Sequence, residues 1–352
     1  MDMFRSLIFK GQSEKLRSHI RQLERIIMAR KICVTGATGY IARHIIQQAL
    51  DAGYSVAGTA RSAEKVYKLE KDIKNPKFRG HIAELSASWG WQAAMSDCKA
   101  VIHCASPFPL SEPKHPDDVI EPAIKGVEHV LKAANNSGVE RVVMTSSCAA
   151  IGYGHIENNR YFTADDWSDL SSSVSSYVRS KTLAERQAWA LTKKYSELEL
   201  VTINPSLVLG PRLAKQSSAS IDLVQMVMAG KYPFVPKLSL SPVDVRDVAA
   251  AHVTALRGKR PVGKRFILAG DSVWMSDITA LLKAHSKKAS SREMPDLMTK
   301  MVAVFDPNVK SVLSELGLMR YYDTQPSRKI LKFSPRSLST TLDDMVDSLQ
   351  KF

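Results

Sequence analysis

Nowhere in this chain of 352 residues does an apolar run approach the ~18 residues that a membrane-spanning helix needs. Charge or polarity interrupts every longer apolar segment, which excludes integral membrane proteins built of helices. Cysteine is scarce, and Cys33, Cys98, Cys104 and Cys148 make up the full set of 4. No two stand at CxxC spacing, so neither a zinc ribbon nor a disulfide-stapled secreted scaffold fits. We expect a reduced compartment, thiols that act as small core side chains, and no metal site. Also missing is a basic stripe with interleaved aromatics. The formal net charge is +14, but the excess is scattered through pieces such as "TKK" at 192–194, "LRGKR" at 256–260 and "SKK" at 286–288. Such a surface favours an anionic ligand and not a nucleic-acid interface. With 44% hydrophobic and 24% charged residues, the composition is that of a soluble protein, long enough for a core divided between two lobes.

Residues 1–28 stand apart from the rest. In "KLRSHIRQLERII", Leu16, Ile20, Leu23 and Ile27 recur at helical spacing with Arg17, Arg21 and Arg25 around them. Three roles compete for this basic amphipathic helix: mitochondrial-type targeting, partner or surface docking through residues 16–27, or upstream sequence outside the working protein. Glu14 and Glu24 weaken the targeting reading, so a cytoplasmic location is expected. Translation from Met28 would leave the folded domain whole, and no uninterrupted apolar core marks a secretory signal.

From Lys31 the pattern becomes regular. "KICVTGATGYIARHIIQQALDAGYSVAGTAR" reads as strand (Ile32 to Thr35), glycine turn, helix (Ile41 to Leu50), Gly53 as helix stop, and strand (Tyr54 to Thr59). A strand at 100–106, a helix at 119–138, a strand at 139–147, a helix bearing Tyr177 and a strand at 198–210 follow. Alternation of this kind predicts an α/β fold, a Rossmann-like doubly wound parallel sheet covered on both faces, with ligands at the carboxyl ends of the strands.

In the turn "TGATGYIA", Gly36 permits the sharp bend and Gly39 lets backbone approach a pyrophosphate. Ala42 is the small residue that brings helix and strand close. Thr38, Tyr40 and Ile41 share this cofactor-facing turn. At the end of the second strand an acid would hold the ribose hydroxyls of NAD. None stands there; Arg61 does, followed by Lys65. A guanidinium matches a phosphate in charge and shape, so NADPH/NADP+ is the expected cofactor, with NAD the alternative.

"VVMTSSCAA" places Ser146 and Ser147 at a strand end, and "YVRSK" places Tyr177 and Lys181 one helical turn apart. A serine can polarise a carbonyl and a phenol can protonate its oxygen. A lysine can hold the nicotinamide ribose and depress the phenol, whose ordinary pKa is ~10.

Taken in order, "TGATGYIA", "GTARS", "VIHCASPF", "EPAIKGVEHVLKAA", "TSSCAA", "YVRSKTLAE", "INPSLVLGP" and "SPVDVRDVAAAH" resemble the extended short-chain dehydrogenase/reductase family. The resemblance points to the group of dihydroflavonol reductases, cinnamoyl-CoA reductases and yeast-type aldehyde-ketone (methylglyoxal) reductases. It implies Ser147, Tyr177 and Lys181 as the catalytic set. It also implies cofactor contacts at Arg61, at Glu84 and Leu85 beside the adenine, at Ala105 and Ser106 beside a ribose, at Pro205, Leu207 and Val208 beside the nicotinamide amide, and at Ser217 and Ser218 beside a phosphate. Asp244, Arg246 and Asp247 resemble a structural turn of the family.

Two departures narrow the substrate. Gly152 stands where dihydroflavonol reductases carry an asparagine that meets the flavonoid hydroxyls, and the tryptophan, tyrosine and cysteine typical of cinnamoyl-CoA reductases are missing around Tyr177. The expected activity is reduction of a small aldehyde or ketone to an alcohol. The alternatives are a nucleotide-sugar epimerase or dehydratase, a hydroxysteroid dehydrogenase, and a non-catalytic dinucleotide-binding interaction protein. Residues 29–205 are expected to form the Rossmann-like domain and 206–352 mainly a substrate-binding lobe, with 238–269 returning to the larger domain and a terminal amphipathic helix within 332–349. Phe108, Pro109, Leu110, Ile151, Val224 and Val235 are candidates to line the cleft.

Overall fold

The computed structural model describes residues 31–107, 113–305 and 313–351. The segment 16–27 and the candidate lining residues Phe108, Pro109 and Leu110 lie outside the described residues.

Seven parallel strands form the central sheet: β1 (Lys31–Thr35), β2 (Ser55–Ala60), β3 (Phe78–Ile82), β4 (Ala100–His103), β5 (Arg141–Thr145), β7 (Glu199–Pro205) and β11 (Arg265–Leu268), in the order β11-β7-β5-β4-β1-β2-β3. Shorter strands pair outside it: β6 (Arg160–Phe162) with β13 (Arg320–Tyr322), β8 (Val208–Leu209) with β10 (Val243–Asp244), and β9 (Ser239–Leu240) with β12 (Val273–Trp274). The helices are α1 (Tyr40–Asp51), α2 (Ala63–Ile73), α3 (Trp91–Met95), α4 (Asp117–Asn136), α5 (Ser176–Thr192), α6 (Ala219–Met228), α7 (Val245–Ala255), α8 (Met275–Leu282), α9 (Asp296–Phe305), α10 (Gln325–Leu331) and α11 (Leu338–Lys351).

The two-residue period of the strands divides the core. Ile32 and Val34 of β1, Ile102 of β4, Val143 of β5 and Val201 and Ile203 of β7 pack on one face with α1 and α7. Cys33, Val101, Val142, Met144 and Leu200 pack on the other with α3, α4 and α5. The first face continues without a break into Ile221, Val224 and Val227 of α6 and Ile278 and Leu282 of α8, so the C-terminal part shares the core of the sheet. Chain order reverses direction between β1 and β4, and this switch point is where such sheets leave a crevice at the carboxyl ends of their strands.

The strand expected at 198–210 is two. Pro205 closes β7, and after Ser206 and Leu207 the chain pairs with β10 instead of the central sheet. Edge strand β3 gave little sequence signal, because only Phe78 of its five residues is buried. All 4 cysteines carry free thiols. No helix of the described residues is long and apolar enough to cross a membrane.

Candidate active site

Helix α5 begins under Ser175, whose hydroxyl accepts the Val178 N–H at 3.3 Å. That cap fixes where the helix starts and so which residues face the sheet. Tyr177 and Lys181 then share the face turned toward the carboxyl ends of β5 and β7. Just beyond β5, Ser147 caps a 3-10 turn over Cys148–Ala150 by accepting the Ala149 N–H at 3.0 Å. Its hydroxyl hydrogen-bonds the Tyr177 phenol and lies 3.5 Å from the Pro205 carbonyl oxygen. The structure therefore brings Ser147, Tyr177 and Lys181 together.

Burial pushes the Tyr177 phenol above its ordinary pKa, with the Ser147 hydroxyl acting in the opposite sense. Burial also lowers Lys181 to about 8, against the raising influence of Cys104 and Glu185. The depression of the phenol expected from Lys181 is thus not what this geometry gives. The ammonium stands 5.8 Å from the centre of the Tyr177 ring, and burial is the largest influence on the phenol.

Next to Lys181 comes the end of β4. The Cys104 thiol is pushed up to about 12 by burial, with Thr145 and Lys181 lowering it. Cys104 and Ala105 donate their N–H groups to Thr35 Oγ1 at 3.1 and 3.0 Å. Ala105 is the floor under the glycine turn. Gly36 has φ +65°, and a Cβ there would come 2.9 Å from Ala105 Cα. The turn is closed by Gly39 N–H to Gly36 C=O at 2.8 Å, and Gly39 leads directly into α1.

Other candidates divide by where their side chains go. Arg61 and Lys65 are exposed beyond β2, with Ser62 capping α2 between them. Thr38 is exposed, Ile41 is half-buried, and Ser106 donates to the Pro107 carbonyl at 3.3 Å. Tyr40 turns away from the turn, donating its hydroxyl to the Gly210 carbonyl at 2.6 Å in the core. Leu85 packs its side chain on α4 at Gly126, where a Cβ would come within 2.6 Å, and gives its carbonyl to His129 at 2.9 Å; Glu84 beside it stays half-exposed. Pro205, the last residue of β7, and Val208, the first of β8, are buried, and Leu207 between them is half-buried. Ser217 donates to Asp222 at 2.9 Å and Ser218 caps α6, so both hydroxyls serve the start of that helix. Ile151 and Val235 are buried in the core, whereas Val224 lines a small apolar pocket with Leu207, Leu223 and Leu240. All three candidates are at most 1% exposed; Val224 lies on the inner face of α6 with Ile221 and Val227. At Gly152 a Cβ would meet the Tyr322 hydroxyl at 3.1 Å and Phe162 at 3.2 Å, so a larger side chain there requires these two rings to shift by a few tenths of an ångström.

Gln216 escaped the sequence reading. Its Nε2 donates to the carbonyls of Thr38 and Gly39 at 3.1 and 3.3 Å, laying the side chain across the glycine turn, while its Oε1 is buried without a partner among the described residues. A glutamine in a loop carries no periodicity, and the contact joins residues far apart in the chain.

Residues 32–269 match the NAD dependent epimerase/dehydratase family. The chain belongs to this family. Along 91% of its length it is 32% identical to the NADPH-dependent methylglyoxal reductase of Saccharomyces cerevisiae, covering 98% of that protein. It is 35% identical to cinnamoyl-CoA reductase 1 of Arabidopsis thaliana over 71% of this chain and 73% of that one. The crystal structure of the yeast methylglyoxal/isovaleraldehyde reductase complexed with NADPH aligns with a TM-score of 0.76 at 29% identity, covering 92% of this chain and 98% of that one. As a member of the epimerase/dehydratase family with these relatives, the protein is an NAD(P)-dependent oxidoreductase.

The residues present fit a dinucleotide. The Gly36 cradle has no space for a Cβ, α1 offers its N-terminal amides beyond Gly39, the orphaned Gln216 Oε1 lies over the same turn, and the end of β2 carries Arg61 in place of an acid.

Proposed function

We propose that this protein reduces an aldehyde or ketone on a modest, largely apolar molecule to the alcohol, using NADPH, with Tyr177 as the proton donor. The convergence of Ser147, Tyr177 and Lys181 at the carboxyl edge of the sheet, beside the floor of the glycine turn, carries this reading. The NADPH named for the yeast relative, and present in its crystal structure, supports it.

When bound, the nicotinamide supplies the hydride. The chain's own residues do the rest. The Tyr177 phenol, whose ordinary pKa is ~10 and which burial raises further, holds its proton at neutral pH, the form a proton donor needs. The Ser147 hydroxyl, already bonded to that phenol, provides a second donor to the carbonyl oxygen as negative charge develops on it. Lys181, charged below about pH 8, adds a cation to the same oxygen's surroundings and is placed to hold a ribose. Arg61 and Lys65 are the groups that would read the additional phosphate of NADPH.

Tyr177→Phe tests the proposal directly. Turnover across a panel of aldehydes and ketones should fall by ~100-fold or more, with NADPH affinity close to that of the unaltered protein. Turnover that survives the loss of the hydroxyl removes Tyr177 from the role. Tightly held NAD in freshly purified protein, with no net reduction of simple carbonyls, would favour the epimerase reading.

A further inference from the structure

One helical turn beyond Lys181, on the same face of α5, stands Glu185, a carboxylate whose side chain has no solvent exposure. Both its oxygens are filled. Oε2 accepts from Ser146 Oγ at 2.5 Å and Asn204 Nδ2 at 2.8 Å. Oε1 accepts from Arg265 Nε at 2.7 Å, Thr202 Oγ1 at 3.0 Å and Trp189 Nε1 at 3.3 Å. Apart from Trp189 of the same helix, its partners come from the end of β5, from β7 and from β11, so one side chain ties three strands of the sheet to the helix that carries Tyr177.

Those partners also grip the segment around Ser147. Ser146 is its immediate neighbour. Asn204 Nδ2, besides serving Glu185, donates to the Ser147 carbonyl at 3.2 Å. Arg265 donates to the Ala150 carbonyl at 3.3 Å, at the far end of the turn that Ser147 caps. It is itself fixed by the Ala164 and Asp166 carbonyls at 2.7 and 2.5 Å, with its guanidinium 3.9 Å from the centre of the Trp167 ring. The Ser147 segment is thus held ahead of it, at it and behind it by groups that share one carboxylate.

A buried ion pair is a poor means of stabilising a core, since apolar side chains of similar volume serve as well or better. What it supplies is direction: fixed donors and acceptors that allow one arrangement. We propose that Glu185 is a positioning residue for carbonyl reduction, setting through Ser146 and Asn204 where the Ser147 hydroxyl stands relative to Tyr177. The inference deepens the reductase reading and rests on it. Geometry of this kind matters because a misplacement of ~1 Å can cost ~100-fold in rate.

The test is a double-mutant cycle between Glu185→Gln and Ser147→Ala, read at about pH 6, where Lys181 keeps its proton because its own value is about 8. Glu185→Gln keeps the volume and removes the charge. It should lower kcat by ~10-fold or more and leave the Kd for NADPH within about twofold. The double variant should be no slower than Ser147→Ala alone, because the effect of Glu185 runs through that hydroxyl. Wild-type kcat in Glu185→Gln overturns the proposal. Multiplication of the two losses overturns it as well, since Glu185 would then act elsewhere. If Glu185→Gln fails to fold, Ser146→Ala, which removes a single link, enters the same cycle with the same expectations. Tyr177→Phe run alongside separates the two readings: an inactive Tyr177→Phe with a fully active Glu185→Gln sinks the positioning role alone, whereas an active Tyr177→Phe sinks the reductase mechanism.

Discussion

The Lys181 ammonium lies 5.8 Å from the centre of the Tyr177 ring, and burial drives both groups toward their neutral forms. The phenol rises and the ammonium falls, so there is a window in which the phenol holds its proton and the lysine is still charged. Its upper limit is set by Lys181 at about 8. We expect kcat/KM for NADPH, which reports the free enzyme, to stay level through neutral pH and fall as pH rises through that value. Lys181→Met should lower the rate and remove the break. A profile flat to pH 10 would mean that Lys181 keeps its proton in the working enzyme.

The two glycines of the turn should respond differently to the same added methyl. Gly36→Ala forces a side chain into a left-handed conformation and puts its Cβ 2.9 Å from Ala105 Cα, a backbone contact that cannot yield cheaply. The conformational part alone costs ~1–2 kcal/mol, so thermal stability should drop measurably along with NADPH affinity. Gly39 has φ −71°, and its added Cβ would face the Gly36 carbonyl at 3.1 Å. Gly39→Ala should therefore weaken NADPH with a smaller loss of melting temperature. Equal melting losses for the two would contradict the assignment of strain to Gly36.

Arg61→Ala tests the cofactor preference. Arg61 is exposed at the end of β2, where a charge-assisted bond to phosphate would contribute ~1.5–3 kcal/mol, or about ten- to more than hundredfold in affinity. The Kd for NADPH should rise by that factor while that for NADH changes little. Titration of both cofactors against both proteins measures it; matched losses, or a wild type that prefers NADH, would remove Arg61 from the role.

What could be read without coordinates is what is written locally. The glycine turn, the Tyr177–Lys181 spacing and most of the strand–helix alternation each occupy a short window and lie where the sequence places them, the exception being 198–210, which divides after Pro205. Misplaced or unseen features depend on contacts between distant segments. Ile151 and Val235 read as lining because hydrophobic letters do not say which way they face, and the fold buries them. Tyr40 stands in the cofactor turn, but its hydroxyl answers to Gly210, 170 residues away. Glu185 is one letter of "YVRSKTLAE" in the sequence, and its meaning appears only when Ser146, Asn204 and Arg265 are brought around it.

Asp244 supplies the last prediction, one of stability and not of chemistry. Its side chain has no exposure, and it caps α7 by accepting the Arg246 N–H at 2.8 Å. It also accepts from Arg246 Nε and Nη2 at 2.9 and 2.7 Å and from Thr341 Oγ1 at 3.0 Å. Arg246 in turn reaches Asp344 at 2.7 Å, so the cluster fastens α11 to the strand-to-helix turn at β10. Burial alone would raise the Asp244 carboxyl, but its bonds to Arg246 and Thr341 outweigh that and hold it below the ordinary value. A depressed carboxyl contributes its full stability above its unfolded value of ~3.9 and loses it as pH falls through the folded value. Asp244→Asn keeps a cap but turns an amide toward the guanidinium, and should cost ~2–3 kcal/mol at neutral pH. Asp244→Ala should cost ~1 kcal/mol more through the lost cap. Urea unfolding at neutral pH and again below ~pH 4 reads the sign. The gap between wild type and Asp244→Asn should narrow on acidification as the wild-type carboxylate takes up its proton. A gap that stays constant across that range would show that shape, and not charge, fastens the C-terminal helix.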